Sequence, residues 1–296
     1  MKRRCARERR CTYLVSLESP GEDVHELAAY LSKLSIADFE VVIVDTSENE
    51  EHRRVLRWVG KYIVAKAGID PMRTALGTAS CEKVILADAQ VRYDENALDH
   101  LCVLLDLHDV VEPQSYFDPL PWWGGLEAGS ILLHRGASRS RDRSATFAFR
   151  KKVVRHRGLQ FAETFSATDI FVRRTPPALE DWLRERPRSL EHAAFFFGLP
   201  LALILALLGG TRWFGAYAGA VVLCSLAVAI RGRIGAAEFF PLRACLYAPL
   251  WLLERSISAY WALFLELMGT SRADKVPALV RGERITGAAS STANTR

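Results

Sequence analysis

The chain has 296 residues, of which 50% are hydrophobic and 25% are charged. These averages exclude a disordered or collagen-like protein, but a polar half and an apolar half can average to the same values, so a membrane protein is not excluded. The net charge of +5 is mild, and the basic clusters lack interleaved aromatic residues, which argues against nucleic-acid binding. The six cysteines have no metal-ligand spacing, so we expect reduced, dispersed thiols.

Short apolar strands alternate with helix-like stretches in the polar half of the chain. TYLVSL at 12–17 and FEVVIV at 39–44 predict two strands, separated by a helix over 23–34. KVILA at 83–87 predicts a further strand, and the periodic residues 96–107 predict the helix that follows it. Strands alternating with helices indicate an α/β fold, with a mostly parallel sheet covered by flanking helices.

An acidic residue directly follows each of three predicted strands, namely Glu18, Asp45 and Asp88. Ligands of open parallel sheets bind beyond the carboxyl ends of the strands, so we expect these carboxylates along one edge. Capping of the next helix is the alternative for each residue taken singly. Carboxylates gathered beside a basic residue suit a nucleotide diphosphate with a divalent cation.

Two long charge-free runs, 193–210 and 213–230, are separated by Thr211 and Arg212. They predict a transmembrane helical hairpin over 191–233, and a pair of buried core helices is the alternative. Arginines flank both outer ends of the hairpin, whereas the turn carries a single arginine. The α/β domain and the C-terminus are therefore predicted on the cytoplasmic side of an integral membrane protein.

The remaining boundaries follow from composition. Residues 1–11 form a basic N-terminal tail, 12–190 the α/β domain, and 270–296 a polar tail that we expect to be disordered. Residues 234–269 are apolar but interrupted by charges, which favours an amphipathic helix in the membrane interface and leaves a third, tilted span open.

The order of these motifs resembles the nucleotide-binding half of family 2 glycosyltransferases with the GT-A fold. VSLES, FEVVIVDTS and MRTALGTASCEKVILADAQVRYDENAL follow one another as the strands and the arginine-containing helix of that family do. The resemblance implies that Asp45 binds the uracil or ribose, that Arg73 is the basic residue ahead of the third strand, and that Asp88 opens the Asp-x-Asp motif. Gln90 replaces the second, metal-binding aspartate, so Asp88 and Gln90 would hold Mg²⁺ or Mn²⁺ weakly.

Later segments are similar to a membrane-bound branch of the same family. PQSYFDPLPWW resembles its acceptor-side loop, in which Trp122 and Trp123 serve either as a platform for sugar or lipid or as turn-anchoring core residues. FVRRTPPALEDWLRERPR resembles the segment with a Q-x-x-R-W-type motif, which here runs from Glu185 to Ser189 and retains Arg188 on the donor side. APLWLLERSISAYWAL resembles the C-terminal interfacial helix.

The resemblance implies inverting transfer of a sugar from a nucleotide-diphosphate sugar to a lipid or polysaccharide acceptor at the cytoplasmic face. The region that carries the catalytic base in the family is short here; Glu163 is the predicted base, an ordinary surface role being its alternative, and Asp169 is a second candidate. Because of Gln90 and this short region, a catalytically impaired relative that acts as a membrane-anchored binding or scaffold protein is the competing hypothesis.

Overall fold

A single sheet lies at the centre of the fold. The structure is a computed structural model that describes residues 10–17, 23–47, 49–64, 71–137, 146–156, 164–185 and 194–267. Within these residues the sheet has eight strands: β1 (Thr12–Leu17), β2 (Glu40–Asp45), β3 (Lys61–Val64), β4 (Lys83–Asp88), β5 (Val91–Arg92), β6 (Val110–Phe117), β7 (Thr146–Arg150) and β8 (Thr164–Arg174).

Helices flank this sheet and then continue into an apolar C-terminal part. They are α1 (Val24–Ile36), α2 (Glu50–Leu56), α3 (Pro71–Thr78), α4 (Glu95–Leu107), α5 (Gly124–Gly136), α6 (Lys151–His156), α7 (Leu179–Glu185), α8 (Ala194–Arg233) and α9 (Tyr247–Leu267). A short 3-10 helix, Leu242–Leu246, precedes α9. The α/β class predicted from the sequence is therefore confirmed.

The strand order is β3-β2-β1-β4-β7-β6-β8-β5. Strands β3, β2, β1 and β4 are parallel, whereas β7 runs antiparallel to both of its neighbours and β5 runs antiparallel to β8. The sheet is thus more mixed than the alternating pattern predicted. The pattern fails at β7 because α5, which precedes it, packs mainly on α8 and α9 instead of crossing over the sheet.

The central strands are buried on both faces, which explains their continuous apolar sequences. In β1, Tyr13, Val15 and Leu17 join one core cluster with α1 and α4, while Leu14 joins a second cluster on the opposite face with α3. Helix α1 begins at an N-cap, Asp23, whose carboxylate accepts hydrogen bonds from two backbone N–H groups of the first turn.

The long helix α8 has a break at Gly210, where φ is 67° and ψ is −166°. This left-handed backbone favours glycine, and it places the interruption one residue before the predicted turn at Thr211 and Arg212. The part after the break, Gly210–Arg233, is long and apolar enough to cross a membrane, with 24 residues, a mean hydropathy of 2.0 and 11% of its most apolar window buried. Most side chains before the break lie outside the described residues.

Helix α5 joins the α/β domain to the apolar helices through close backbone contacts. A Cβ atom at Gly136 would overlap the Val228 carbonyl, and a Cβ atom at Gly232 would overlap the Leu132 carbonyl oxygen. Arg135 adds a hydrogen bond from its Nε atom to the Gly232 carbonyl oxygen at 3.0 Å. The two helices therefore cross with almost no side chain between them.

One cysteine prediction is wrong. Cys11 and Cys102 are joined as a disulfide that connects the residue before β1 to α4, whereas the sequence analysis expected reduced, dispersed thiols. The two residues are 91 positions apart in the chain, and both are buried in the core cluster in which α4 packs on β1. The spacing of the cysteines along the sequence does not indicate that two residues so far apart lie in contact.

Candidate functional site

Asp45 and Asp88 lie at the carboxyl edge of the sheet, on either side of β1. In the strand register, Asp45 is the partner of Leu17, and Asp88 is the partner of Ser16. Their strands are two spacings apart, about 10 Å. Because Leu17 and Ser16 point to opposite faces of β1, the two aspartates also leave the sheet on opposite faces. They share an edge without forming one carboxylate cluster.

The Asp45 carboxylate is already bound by the protein. Only 3% of the residue is exposed, and its Oδ1 atom accepts hydrogen bonds from the backbone N–H and the hydroxyl of Ser47, at 2.8 and 2.6 Å. The hydroxyl of Tyr62 donates to Oδ2. Burial raises the pKa of Tyr62, and the hydrogen bond to Asp45 raises it further. Asp45 therefore shapes the turn after β2.

Asp88 lies in a different environment, beside an arginine that the sequence analysis did not select. Its side chain is 51% exposed, and its Oδ2 atom lies 3.7 Å from a terminal nitrogen of Arg174, whose side chain is 20% exposed. Within the described part of the chain, the Nε atom of Arg174 is buried without a hydrogen-bond partner, and so is the Oε1 atom of Gln90. A buried donor and a buried acceptor without partners are rare, and they mark this cluster as a place where a ligand can bind.

The turn that carries Gln90 is fixed from two sides. The backbone N–H of Thr175 donates to the Gln90 carbonyl oxygen at 3.0 Å, directly after β8. The guanidinium of Arg92 donates to the carbonyl oxygens of Ala89 and Val91. Strand β5 pairs with the end of β8, with Val91 opposite Arg174. This pairing brings Arg174 to the Asp88 turn, although the two residues are far apart in the sequence.

A cavity opens next to Arg174, between the ends of β6 and β8 and the first turns of α5. The space is small, about 10 Å³, which is room for about one water molecule. Arg174 contributes to its wall, and its guanidinium lies 5.6 Å from the centre of the Phe117 ring. Glu127, in the first turn of α5, is the second charged side chain of the wall. The other lining residues are Ser115, Tyr116, Phe117, Leu120, Gly124, Ala128, Ile131 and Phe240. The wall of the cavity is thus mixed, about as polar as it is apolar, and it carries one positive and one negative group.

The two tryptophans predicted on the acceptor side have different environments. Trp123 is buried and packs against Phe117 and Trp182, with ring centroids 5.6 and 5.0 Å away, as the core-anchoring alternative expected. Trp122 is 75% exposed and precedes Gly124, which lines the cavity. Trp122 can therefore meet an external ligand or surface, and Trp123 holds the loop in place.

Asp169 lies away from the cavity. It is five residues before Arg174 in β8, which corresponds to about 16 Å along an extended strand. Its side chain is 64% exposed, and its carboxylate lies 3.8 Å from the Nε2 atom of His100 of α4. The structure does not bring Asp169 together with Asp88 and Arg174.

The other predicted site residues fall outside what the structure describes. Glu18, Glu163 and Arg188 lie outside the described residues. Arg73 lies in α3 and Glu185 at the end of α7, but their side chains are also outside the described part.

Arg174 and Glu127 are the site residues that sequence reasoning missed. Arg174 stands within the strand-like FVRR, and the signal that could have selected it is a basic residue at the carboxyl end of a strand. Glu127 belongs to α5, which the periodicity analysis did not predict, since its glycines lower helix propensity.

The residues around Asp88 do not fit a resident metal ion. Mg²⁺ and Mn²⁺ prefer several oxygen ligands, carboxylates above all. Here Asp88 faces a guanidinium, and Gln90 offers a neutral amide oxygen. In the described ranges there is no group of three or more His, Cys, Asp or Glu side chains that could hold a metal ion. The divalent cation stays a prediction, and the Mn²⁺ conditions of the experiments below test it.

No protein-family model matches the chain, and no curated protein matches it either. Solved structures that resemble it include two sugar-transferring enzymes. One is the mannosyltransferase PcManGT from Pyrobaculum calidifontis in complex with GDP-Man and Mn²⁺, with a TM-score of 0.47, 15% identity, and coverage of 86% of this chain and 88% of that chain. Another is glucosyl-3-phosphoglycerate synthase from Mycobacterium tuberculosis with Mn²⁺, UDP and glucosyl-3-phosphoglycerate, with a TM-score of 0.41, 10% identity, and coverage of 58% and 74%.

Proposed function

We propose that the protein is a nucleotide-sugar glycosyltransferase whose donor diphosphate binds at the cluster of Asp88, Gln90 and Arg174. The observation that carries the proposal is a guanidinium with a buried, unpartnered N–H at the carboxyl edge of the sheet, next to a cavity. A diphosphate accepts such charge-assisted hydrogen bonds, and this edge is where ligands of α/β sheets bind.

The nucleoside would lie on the β2 side of the same edge. The turn after β2 is held in shape by Asp45, and it is about two strand spacings from Asp88. That separation of about 10 Å suits a ligand with the base and ribose at one end and the diphosphate at the other. Asp45 then acts through the geometry of the turn that it holds.

The acceptor would approach the donor at the opening beside Arg174, which has room for little more than the acceptor hydroxyl group. In an inverting transfer, the acceptor oxygen bonds to the anomeric carbon of the sugar while the bond from that carbon to the donor phosphate breaks. The acceptor proton passes to a carboxylate, and the electron pair leaves with the nucleoside diphosphate. Glu163 stays the base predicted from the sequence, and Glu127 is a described carboxylate in the cavity wall that can take the same role.

Exposed apolar surface supports a membrane-bound form and a lipid acceptor. Five apolar side chains of α9 recur at helical spacing and are each 49% to 56% exposed: Leu250, Leu253, Ile257, Trp261 and Phe264. The apolar segment Gly210–Arg233 is likewise mostly unburied, unlike a core helix of a soluble protein. A continuous apolar stripe of this kind suits a helix that lies against a bilayer. The cavity lies near these helices, since Phe240, which lines it, packs in one core cluster with Ala229 of α8 and Trp251 of α9.

Replacing Asp88 with alanine is expected to lower glycosyl transfer by about a hundredfold, because Arg174 then loses the carboxylate that orients its guanidinium toward the diphosphate. The test uses the full-length protein in detergent, UDP- and GDP-sugars with and without Mn²⁺, and a membrane lipid extract as the acceptor. Release of UDP or GDP is measured. Asp99→Ala is the matched control, because Asp99 is an exposed carboxylate on α4 that pairs with Arg10.

The same experiment separates the enzyme from the scaffold alternative, which Gln90 favours. Donor binding without turnover, for every donor and acceptor tried, would indicate a binding or scaffold protein. Equal turnover in Asp88→Ala and in the parent would contradict the placement of the diphosphate.

A reporter inserted between Thr211 and Arg212 is expected to read outside the cytoplasm, because the hairpin places this turn on the far side of the membrane. The same reporter fused after residue 296 is expected to read cytoplasmic. Protease protection or reporter activity in intact cells gives the measurement. A cytoplasmic reading at the turn would disprove the hairpin while leaving the donor site unaffected.

A further inference from the structure

We infer that Arg174 itself binds the donor diphosphate, so that nucleotide binding in this protein does not require a divalent cation. The inference rests on the proposed function and names the group that offsets the phosphate charge. In metal-dependent sites that group is a cation held by carboxylates. Here Gln90 stands in place of the second carboxylate. The guanidinium of Arg174 lies beside the remaining one, Asp88, at 3.7 Å.

The guanidinium is well placed for this role. Its Nε–H is buried without a partner in the described part of the chain, and a terminal nitrogen lies 3.7 Å from Asp88. That distance is longer than a direct hydrogen bond, so the ion pair leaves donor capacity for a second anion. A guanidinium has a planar fork of donors that matches two phosphate oxygens at once.

The position of Arg174 is fixed before any ligand arrives. The residue ends β8 in register with Phe117 of β6 and with Val91 of β5. Its guanidinium also lies over the face of the Phe117 ring, at 5.6 Å. A charged group that is already in place loses little freedom when a phosphate binds, which favours affinity.

Gln90 fits the same ligand. A neutral amide is a weaker ligand for a divalent cation than a carboxylate, but it adds no negative charge against a diphosphate. Its Oε1 atom is buried without a partner among the described residues, so it can accept a hydrogen bond from a ribose hydroxyl or from a bound water. Replacing aspartate with glutamine therefore lowers cation binding and the repulsion of phosphate together.

The test is the binding of UDP, GDP and inorganic pyrophosphate to the full-length protein by calorimetry, in EDTA and then in Mn²⁺. We expect at least one of them to bind the parent in EDTA, with an affinity within about tenfold of the value in Mn²⁺. Arg174→Gln should weaken binding in EDTA by about ten- to a hundredfold, as loss of charge-assisted hydrogen bonds does. Arg174→Lys should retain part of the affinity, because the charge remains but the fork is lost.

Arg173→Gln is the matched control. Arg173 is the neighbouring residue of the same strand, is 52% exposed and pairs with Asp118, so its loss should leave binding unchanged. Binding that requires Mn²⁺ would overturn the inference and leave the proposed function standing. Equal weakening by the Arg173 and Arg174 substitutions would also overturn it. Failure of every ligand to bind the parent, with and without Mn²⁺, would contradict the proposed function itself. The EDTA measurement on the parent decides the question even if Arg174→Gln does not fold.

Discussion

Replacing Gly232 with valine is expected to destabilise the protein by about 3 kcal/mol or more and to loosen α8 from α5. A side chain at this position would overlap the carbonyl oxygen of Leu132, which belongs to the backbone of α5 and cannot rotate away. The hydrogen bond from Arg135 to the Gly232 carbonyl would be lost with the contact. Thermal unfolding of the detergent-purified protein, followed by tryptophan fluorescence, gives the measurement.

Gly219→Val is the control, because it makes the same change in the same helix at a position with no atom within 4 Å of the added Cβ. It should unfold at the temperature of the parent or slightly above it, since glycine is the poorer helix former. Equal melting temperatures for Gly232→Val and Gly219→Val would show that the α5–α8 crossing described here does not exist in solution.

Replacing Glu40 with alanine is expected to cost about 2 to 4 kcal/mol of the free energy of unfolding. Glu40 is fully buried at the start of β2, where its carboxylate accepts hydrogen bonds from Thr12 Oγ1 and Lys61 Nζ, both at 2.5 Å, and from the Ser80 backbone N–H at 2.7 Å. Alanine leaves the buried Thr12 hydroxyl without this acceptor, which costs about 1 to 3 kcal/mol. The Lys61 and Ser80 donors lose less, because both residues are partly exposed and water can replace the carboxylate. The affinity of the refolded protein for the nucleotide sugar should be unchanged, because Glu40 lies at the amino edge of the sheet and Asp88 at the carboxyl edge.

The pH dependence of stability provides a second test of the role of Glu40. Burial alone would raise the pKa of Glu40, but the hydrogen bonds from Lys61, Thr12 and Ser80 outweigh it and lower the pKa to about 2. Because the pKa is lower in the folded state, the stabilisation is present above pH 4.5 and is lost as the pH falls toward 2. It amounts to about 2 kcal/mol after allowance for the partly exposed Lys61.

Chemical denaturation of the parent and of Glu40→Gln over this pH range separates the two effects. The parent should lose this stabilisation between pH 4.5 and 2, and Glu40→Gln should lack that component of the loss. Asp99→Ala, which removes an exposed ion pair with Arg10, should change stability by less than about 1 kcal/mol. A parent and a Glu40→Gln variant with the same pH dependence would refute the role given to Glu40.

Local sequence signals were sufficient for the elements that are buried on both faces. The apolar runs at 12–17, 39–44 and 83–87 correspond to β1, β2 and β4 within a residue, and the predicted helix over 96–107 is α4. Each of these segments carries its own periodicity and boundary residues, such as the cap of α4 at Asp94. Long-range packing adds little to what the local pattern already specifies.

The composition of the candidate site could not be predicted in the same way. Arg174 meets Asp88 through the antiparallel pairing of β5 with β8, and a two-residue strand such as β5 has no readable period. PQSYF was interpreted as part of an acceptor-side loop, but it belongs to β6, in spite of Pro113. The direct contact of Asp45 with the nucleotide stays a prediction, and no local sequence signal indicated that its oxygens also accept hydrogen bonds from Ser47 and Tyr62. These outcomes depend on contacts between distant segments.

The position of α5 has a consequence for which acceptors the protein can use. One side of this helix lines the cavity with Gly124, Glu127 and Ala128, and its far end crosses α8 at Gly136. If α8 spans the bilayer as proposed, the direct packing of α5 on α8 holds the cavity at a constant height above the lipid surface. The protein would then use only acceptors whose hydroxyl group projects from the membrane by the distance at which α5 holds the cavity.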